Sequence, residues 1–211
     1  MKDWGILFYN FAEKFALVLL VITMVIGAIK YRTFTKELKW FFCYLGFDLI
    51  IEVLSRILIY MGHQNLIIYP FYISGEFILL ATMIIVGLKL SRKWFIPAGL
   101  ITVYLLLEPL ILWGYNYNSS GIGKTISNMI IVCMIGYYFI HTLKTFENNK
   151  TNKILLIYGF LFLTYTSSIF LFLMIDQLAT MSLSNASLVW GMNVTLSCLL
   201  YGVSSYTFIK S

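Results

Sequence analysis

An all-α integral membrane protein, a bundle of about seven transmembrane helices with its N-terminus outside and its C-terminus in the cytoplasm, is the fold class this sequence predicts. Three observations predict it. The 211 residues are 60% hydrophobic and 11% charged, with a mean hydropathy of +0.86, whereas a soluble domain is ~45–50% apolar and ~25% charged. The apolar residues fall into runs that each approach the ~20 helical residues needed to cross a ~30 Å hydrocarbon core. Lys and Arg collect in alternate connections, as expected when basic loops are retained on the cytoplasmic side. Seven spans use ~140–155 residues, so a single transmembrane domain over 1–211 is expected, with no soluble domain.

The first span, near 7–29, is followed directly by Lys30 and closed by no small-residue cleavage site, so a mature helix is expected there rather than a signal peptide. Lys30, Arg32, Lys36 and Lys39 lead to the second span, near 40–61. The connection 62–68 has no Lys or Arg and leads to the third, near 69–89. Lys89, Arg92 and Lys93 precede the fourth, near 94–113. The connection 114–123 has no basic residue before Lys124 and opens the fifth, near 122–143. Lys144, Lys150 and Lys153 precede the sixth, near 153–176. The last connection, 177–185, is again free of Lys and Arg, and the seventh span, near 186–209, ends at Lys210. The basic segments are placed inside and the others outside. Trp4, Trp40, Trp94, Trp113, Tyr115 and Tyr117 fall near span ends and read as interfacial anchors, while the Asn- and Ser-rich 115–121 has turn chemistry suited to a wet surface.

The net charge of +6 is spread over these loops and needs no nucleic-acid partner; contact with lipid headgroups accounts for it. Cys43, Cys133 and Cys198 are odd in number, far apart and set in apolar runs, so neither a disulfide framework nor a metal cluster is expected. The excess of Ile, Phe, Tyr, Asn and Lys has the character of an AT-rich bacterial genome, and a bacterial cytoplasmic (inner) membrane is the expected location.

The feature that needs explanation is a set of ionisable residues inside the spans: Asp48, Glu52 and Arg56 in the second, Glu76 in the third and Glu108 in the fourth. A charge near the bilayer centre costs at least ~2.5 kcal/mol, so such residues normally face the bundle interior or a cavity. Tyr44, Asp48, Glu52, Arg56 and Tyr60 recur every four residues and form one stripe, with Glu52 and Arg56 in the favourable i, i+4 orientation for an ion pair. Counting ~1.5 Å per residue from each cytoplasmic end puts Glu52, Glu76 and Glu108 at ~18–21 Å, Asn128 and Asn193 at ~22–24 Å and Asp48 at ~12 Å. One polar belt, around and slightly outside the midplane, is therefore expected. Tyr44, Tyr72 and Tyr104 each stand one turn before a carboxyl, where a phenol can donate to it. Pro109, directly after Glu108, is expected to kink the fourth helix by freeing the Leu105 carbonyl. On the seventh helix Asn193, Ser197, Tyr201 and Ser204 form a second polar line, and Thr164–Ser168 on the sixth suits helix–helix adhesion.

Several chemistries lack their residues. His63 lies in a loop and His141 near a span end, so the belt holds no imidazole for a zinc site. No Ser nucleophile stands beside a base, the seventh helix has no buried Lys for a Schiff base, and the acids of helices two to four have no counterparts later that would mark a transporter repeat. No catalytic residue and no cofactor are expected.

Glu52 in the second helix, the run Tyr72-Ile-Ser-Gly-Glu76-Phe-Ile-Leu-Leu80 in the third, and Leu156-Ile-Tyr-Gly-Phe-Leu-Phe-Leu-Thr-Tyr-Thr-Ser-Ser168 in the sixth, on an N-out seven-helix layout, resemble small bacterial seven-helix proteins, in particular the membrane sensor regions that precede histidine kinases. The resemblance implies a sensory or signalling module in which a small ligand or lipid binds the outer-half polar belt and shifts helix packing. With no attached output domain expected, a separate protein partner at the cytoplasmic loops is expected to read that shift. The alternative is a small proton- or cation-coupled transporter or channel using Asp48, Glu52, Glu76 and Glu108.

Overall fold

The computed structural model describes residues 3–63, 65–112, 121–144 and 153–211, nearly all of them helical. Eight α-helices occur among them: α1 (Trp4–Lys30), α2 (Lys36–Tyr60), α3 (Tyr69–Gly87), α4 (Phe95–Leu112), α5 (Gly121–Lys144), α6 (Lys153–Leu173), α7 (Ile175–Thr180) and α8 (Leu183–Lys210). The seven expected runs correspond to α1–α6 and α8, with ends displaced by a few residues. The eighth helix, α7, was not expected: the apolar run of the sixth span continues to residue 176, and hydropathy does not register the break at Met174. Trp113, Tyr115, Tyr117, Lys150 and the Asn- and Ser-rich turn up to residue 120 lie outside the described residues.

Local chemistry sets the helix ends. The Thr35 side chain accepts the Leu38 amide at 3.3 Å to cap α2, with Glu37 in the first turn. Ser182 caps α8 through the Asn185 amide at 3.4 Å. Pro70 occupies the first turn of α3, where its missing N–H is no loss. Past its C-terminus, α2 turns through Gly62 at φ +76°, and the His63 amide returns to the Leu58 carbonyl at 2.9 Å. The chain leaves α3 by the same kind of turn, but with Lys89 at φ +52° in the glycine position and the Leu90 amide on the Ile85 carbonyl at 3.1 Å.

The segments Trp4–Thr33, Tyr69–Gly87, Ile122–Lys144, Lys153–Leu173 and Leu183–Lys210 are each long and apolar enough to cross a membrane. Large apolar side chains such as Phe11, Ile29, Leu100 and Phe170 are exposed along the helices, an arrangement that only a lipid solvent makes favourable. The chain is a helical multi-pass membrane protein. In α2 the charges Asp48, Glu52 and Arg56 dilute the apolar character; α4, 18 residues long, carries Glu108 as its one charged residue.

The chain divides into two compact units, Met1–Thr33 with Glu147–Ser211, and Phe34–Phe146. In the first, α1 and α6 both pack against α8. Gly5 lies against the Ser184 carbonyl, Gly191 against the Phe8 ring, and Thr23 Oγ1 reaches the Tyr201 carbonyl at 3.1 Å and Ser205 Oγ at 2.7 Å. Contacts that advance along both helices together make α1 and α8 parallel, joined through small and hydroxyl residues in the manner of membrane helices. In the second unit α3 is central, with α2, α4 and α5 packed on it. Its buried residues include Ile73, Glu76, Phe77, Leu80, Met83 and Ile84.

Candidate functional site

Within the second unit, the ends of α3, α4 and α5 remote from the basic turn at Lys89–Lys93 bring together a buried polar cluster. The helical period puts Tyr69, Tyr72 and Glu76 on one face of α3. Glu76 forms an ion pair with Lys124 of α5, and only 4% and 3% of the two side chains are exposed. Tyr72 Oη donates to Glu76 Oε1 at 3.1 Å, and Lys124 Nζ donates to Tyr72 Oη at 3.5 Å while lying 4.4 Å from the centre of its ring. The ammonium thus has a carboxylate, a phenol oxygen and a π face around it, the arrangement that a buried charge needs. Asn128, one turn further along α5, is fully buried.

Glu108 enters the cluster from α4. Its carboxylate accepts the Gly123 backbone N–H, and a Cβ at Gly123 would stand 2.5 Å from Oε2, so only glycine lets α5 come this close. Tyr69 lies within electrostatic reach of both Glu76 and Glu108. Oε1 of Glu108 is buried with no hydrogen-bond partner among the described residues, and so is the Ser127 hydroxyl. A buried acceptor left in this state normally costs ~1–3 kcal/mol, which marks the place where a donor belongs.

The structure distributes the sequence-predicted belt differently. Glu52 and Arg56 form the expected i, i+4 pair at 2.7 Å, but their side chains are 38% and 39% exposed. Asp48 is half-buried. The physical reason is that the buried residues of α2, Leu38, Phe41, Tyr44 and Leu45, all belong to its first half; beyond them no α2 residue is buried and the polar stripe is only partly covered. Of the tyrosines, Tyr72 binds its carboxyl, whereas Tyr104 is exposed and gives Glu108 no hydrogen bond among the described residues. Leu105 and Glu108 share the buried face of α4, and Tyr104, one residue before Leu105, is turned ~100° away. α4 continues as helix through position 109, whose side chain lies outside the described residues. Asn193 belongs to the first unit, on α8, with its Oδ1 buried and without a hydrogen-bond partner among the described residues. No group of three His, Cys, Asp or Glu residues converges as a metal site among the described residues.

Lys124 is the residue that sequence reasoning missed. It read as the edge of a loop, yet it sits in the first turn of α5 and is buried. The signal was present in the sequence: Lys124 is a lysine at the start of an apolar run, and such a residue needs an acidic partner. Glu13 and Lys14, half-buried and exposed on α1, were likewise overlooked inside the first span. No protein-family model matches the chain, and neither a curated protein nor a solved structure matches it.

Proposed function

We propose that this chain is a membrane sensory or signalling module in which a small ligand or lipid headgroup carrying a hydrogen-bond donor engages Glu108 beside the Glu76–Lys124 pair. The unpartnered Oε1 of Glu108 carries this reading: it is an acceptor already desolvated, on a carboxylate that the Gly123 amide holds in place. Binding there would shift the packing of α3, α4 and α5, provided that the ligand favours one packing over another. A separate protein would read the shift at exposed basic residues such as Lys30, Arg32, Lys36 and Lys144. In this proposal α1–α6 and α8 make seven crossings of a bacterial cytoplasmic membrane, with the N-terminus outside. The parallel course of α1 and α8 supports the odd count, and the resemblance to sensor regions that precede histidine kinases supports the role.

The competing reading, proton- or cation-coupled transport, draws on the half-buried Asp48 and Glu52 of α2. Against it stands the residue content of α3 below Glu76, where Phe77, Leu80 and Ile84 are buried and offer a permeating charge no ligand. Two measurements separate the readings. Purification in mild detergent followed by mass spectrometry is expected to find a stoichiometric polypeptide whose recovery changes in Glu108→Gln. Liposomes containing the chain under a proton gradient are expected to stay silent; uptake abolished by Glu76→Gln would overturn the sensory reading in favour of transport.

A further inference from the structure

The second unit holds an apolar crevice of about 740 Å³ between α3, α4 and α5, walled by Phe77, Ile85, Leu90, Ala98, Ile130 and Tyr137 among others. It runs from Phe77 and Ile126, beside the polar cluster, to Leu90 and Trp94 at the basic turn, and uses none of the cluster's charged residues. The volume is within the ~300–1,000 Å³ of small-molecule sites. Along α3 the wall runs from Phe77 to Leu88, ~16 Å of helix, which is the depth of one leaflet of a ~30 Å hydrocarbon core.

One end of the crevice meets a cationic turn. Leu88, Leu90 and Trp94 belong to its wall, and the residues between and beside them, Lys89, Arg92 and Lys93, are exposed, with no acidic partner among the described residues. The turn is built to hold this arrangement: Lys89 adopts φ +52°, and the Leu90 amide bonds back to Ile85, so Leu90 folds onto the crevice while Lys89 remains at the surface. The two cations at the opposite helix ends of this unit, Arg56 and Lys124, are both paired with glutamate. Unpaired positive charge therefore lies at the end of the unit where the crevice opens, with Lys89, Arg92 and Lys93 at its mouth and Lys36 and Lys144 also exposed at that end.

We infer that the crevice is a binding site for an anionic phospholipid, with one acyl chain between α4 and α5 and the phosphodiester headgroup on Lys89, Arg92 and Lys93. Charge complementarity and the one-leaflet length select this occupant over a neutral lipid. The inference stands independently of the ligand proposed for the Glu108 cluster, because the two sites share no charged residue.

Trp94 is the reporter. The full chain is placed in phosphatidylcholine bilayers carrying a minor fraction of phosphatidylglycerol, with bromine on the acyl chains of one lipid at a time, and the signal of Trp94 is taken as the difference between wild type and Trp94→Phe. Brominated phosphatidylglycerol is expected to quench several-fold more than brominated phosphatidylcholine at equal fraction. The double variant R92Q/K93Q is expected to bring that preference close to parity, since each basic residue near a membrane surface contributes to anionic-lipid affinity. A second readout needs no tryptophan: phosphatidylglycerol is expected to slow maleimide labelling of Cys133, an exposed thiol in the crevice wall, and R92Q/K93Q to remove the protection. Equal quenching by the two lipids, or equal protection of Cys133 in wild type and double variant, would overturn the inference and leave ordinary bilayer contact.

Discussion

Lys124 and Glu76, 48 residues apart on two helices, are bound to each other where almost no solvent reaches either side chain. The pair is a long-range polar link between α3 and α5, and its energetic character follows from burial. Both ions have lost their hydration, so the attraction between them offsets a desolvation cost of several kcal/mol per ion. Removing one partner strands the other. Glu76→Gln or Lys124→Met is therefore expected to destabilise the protein by roughly 3–5 kcal/mol, whereas the double change to Met at both positions is expected to return within ~1 kcal/mol of wild type. Thermal unfolding in detergent reads this directly; losses that simply add would mean that the two residues act separately.

Gly123 is the second point of tight fit. An alanine there would place its Cβ 2.5 Å from Glu108 Oε2, so the carboxylate or the helix must move. Gly123→Ala is expected to cost roughly 1–3 kcal/mol, the range for overpacking. Combining it with Glu108→Ala removes the obstructing group, and the pair should show a coupling above the ~0.5 kcal/mol that independent sites allow. A coupling near zero would place Glu108 elsewhere than against α5.

How much of this was legible in the sequence depends on distance along the chain. The long helices were legible because apolar runs of bilayer-crossing length must satisfy their backbone internally, and the Glu52–Arg56 and Tyr72–Glu76 contacts because a helix brings i and i+4 together whatever surrounds it. The partner of Glu76 was not, since it comes from α5 and no periodicity within α3 points to it. Local spacing also misjudged Tyr104: it stands one turn before Glu108, but burial of α4 follows Ala98, Leu105 and Glu108. The division of the polar belt was beyond spacing altogether, because the helical period of α2 continues unchanged through residue 60 while its packing does not.

That division makes a contrast measurable. The Glu52–Arg56 pair is half-exposed and local, and pairs of this kind contribute ~0.3–0.5 kcal/mol. Arg56→Gln is accordingly expected to shift stability by well under ~1 kcal/mol, against the loss expected for Lys124→Met. Equal losses would show that the stripe on α2 is buried against something in the working protein.

The two left-handed turns predict opposite signs for substitutions of similar size. Gly62, at φ +76°, has nothing within 4 Å of the position a Cβ would take, so Gly62→Ala is resisted by backbone conformation alone and not by a neighbour. The left-handed region costs an L-residue roughly 1–2 kcal/mol, and stability should fall by about 1 kcal/mol. Lys89 already bears that cost at φ +52°. Lys89→Gly relieves it, less the greater entropy that glycine gives the unfolded chain, and is expected to stabilise by a few tenths to ~1 kcal/mol. Both changes can be read by thermal unfolding in a detergent without anionic lipid, where the charge of Lys89 has no headgroup to bind. If Lys89→Gly destabilised the protein under those conditions, the turn would be held by an interaction of the lysine side chain strong enough to outweigh the backbone.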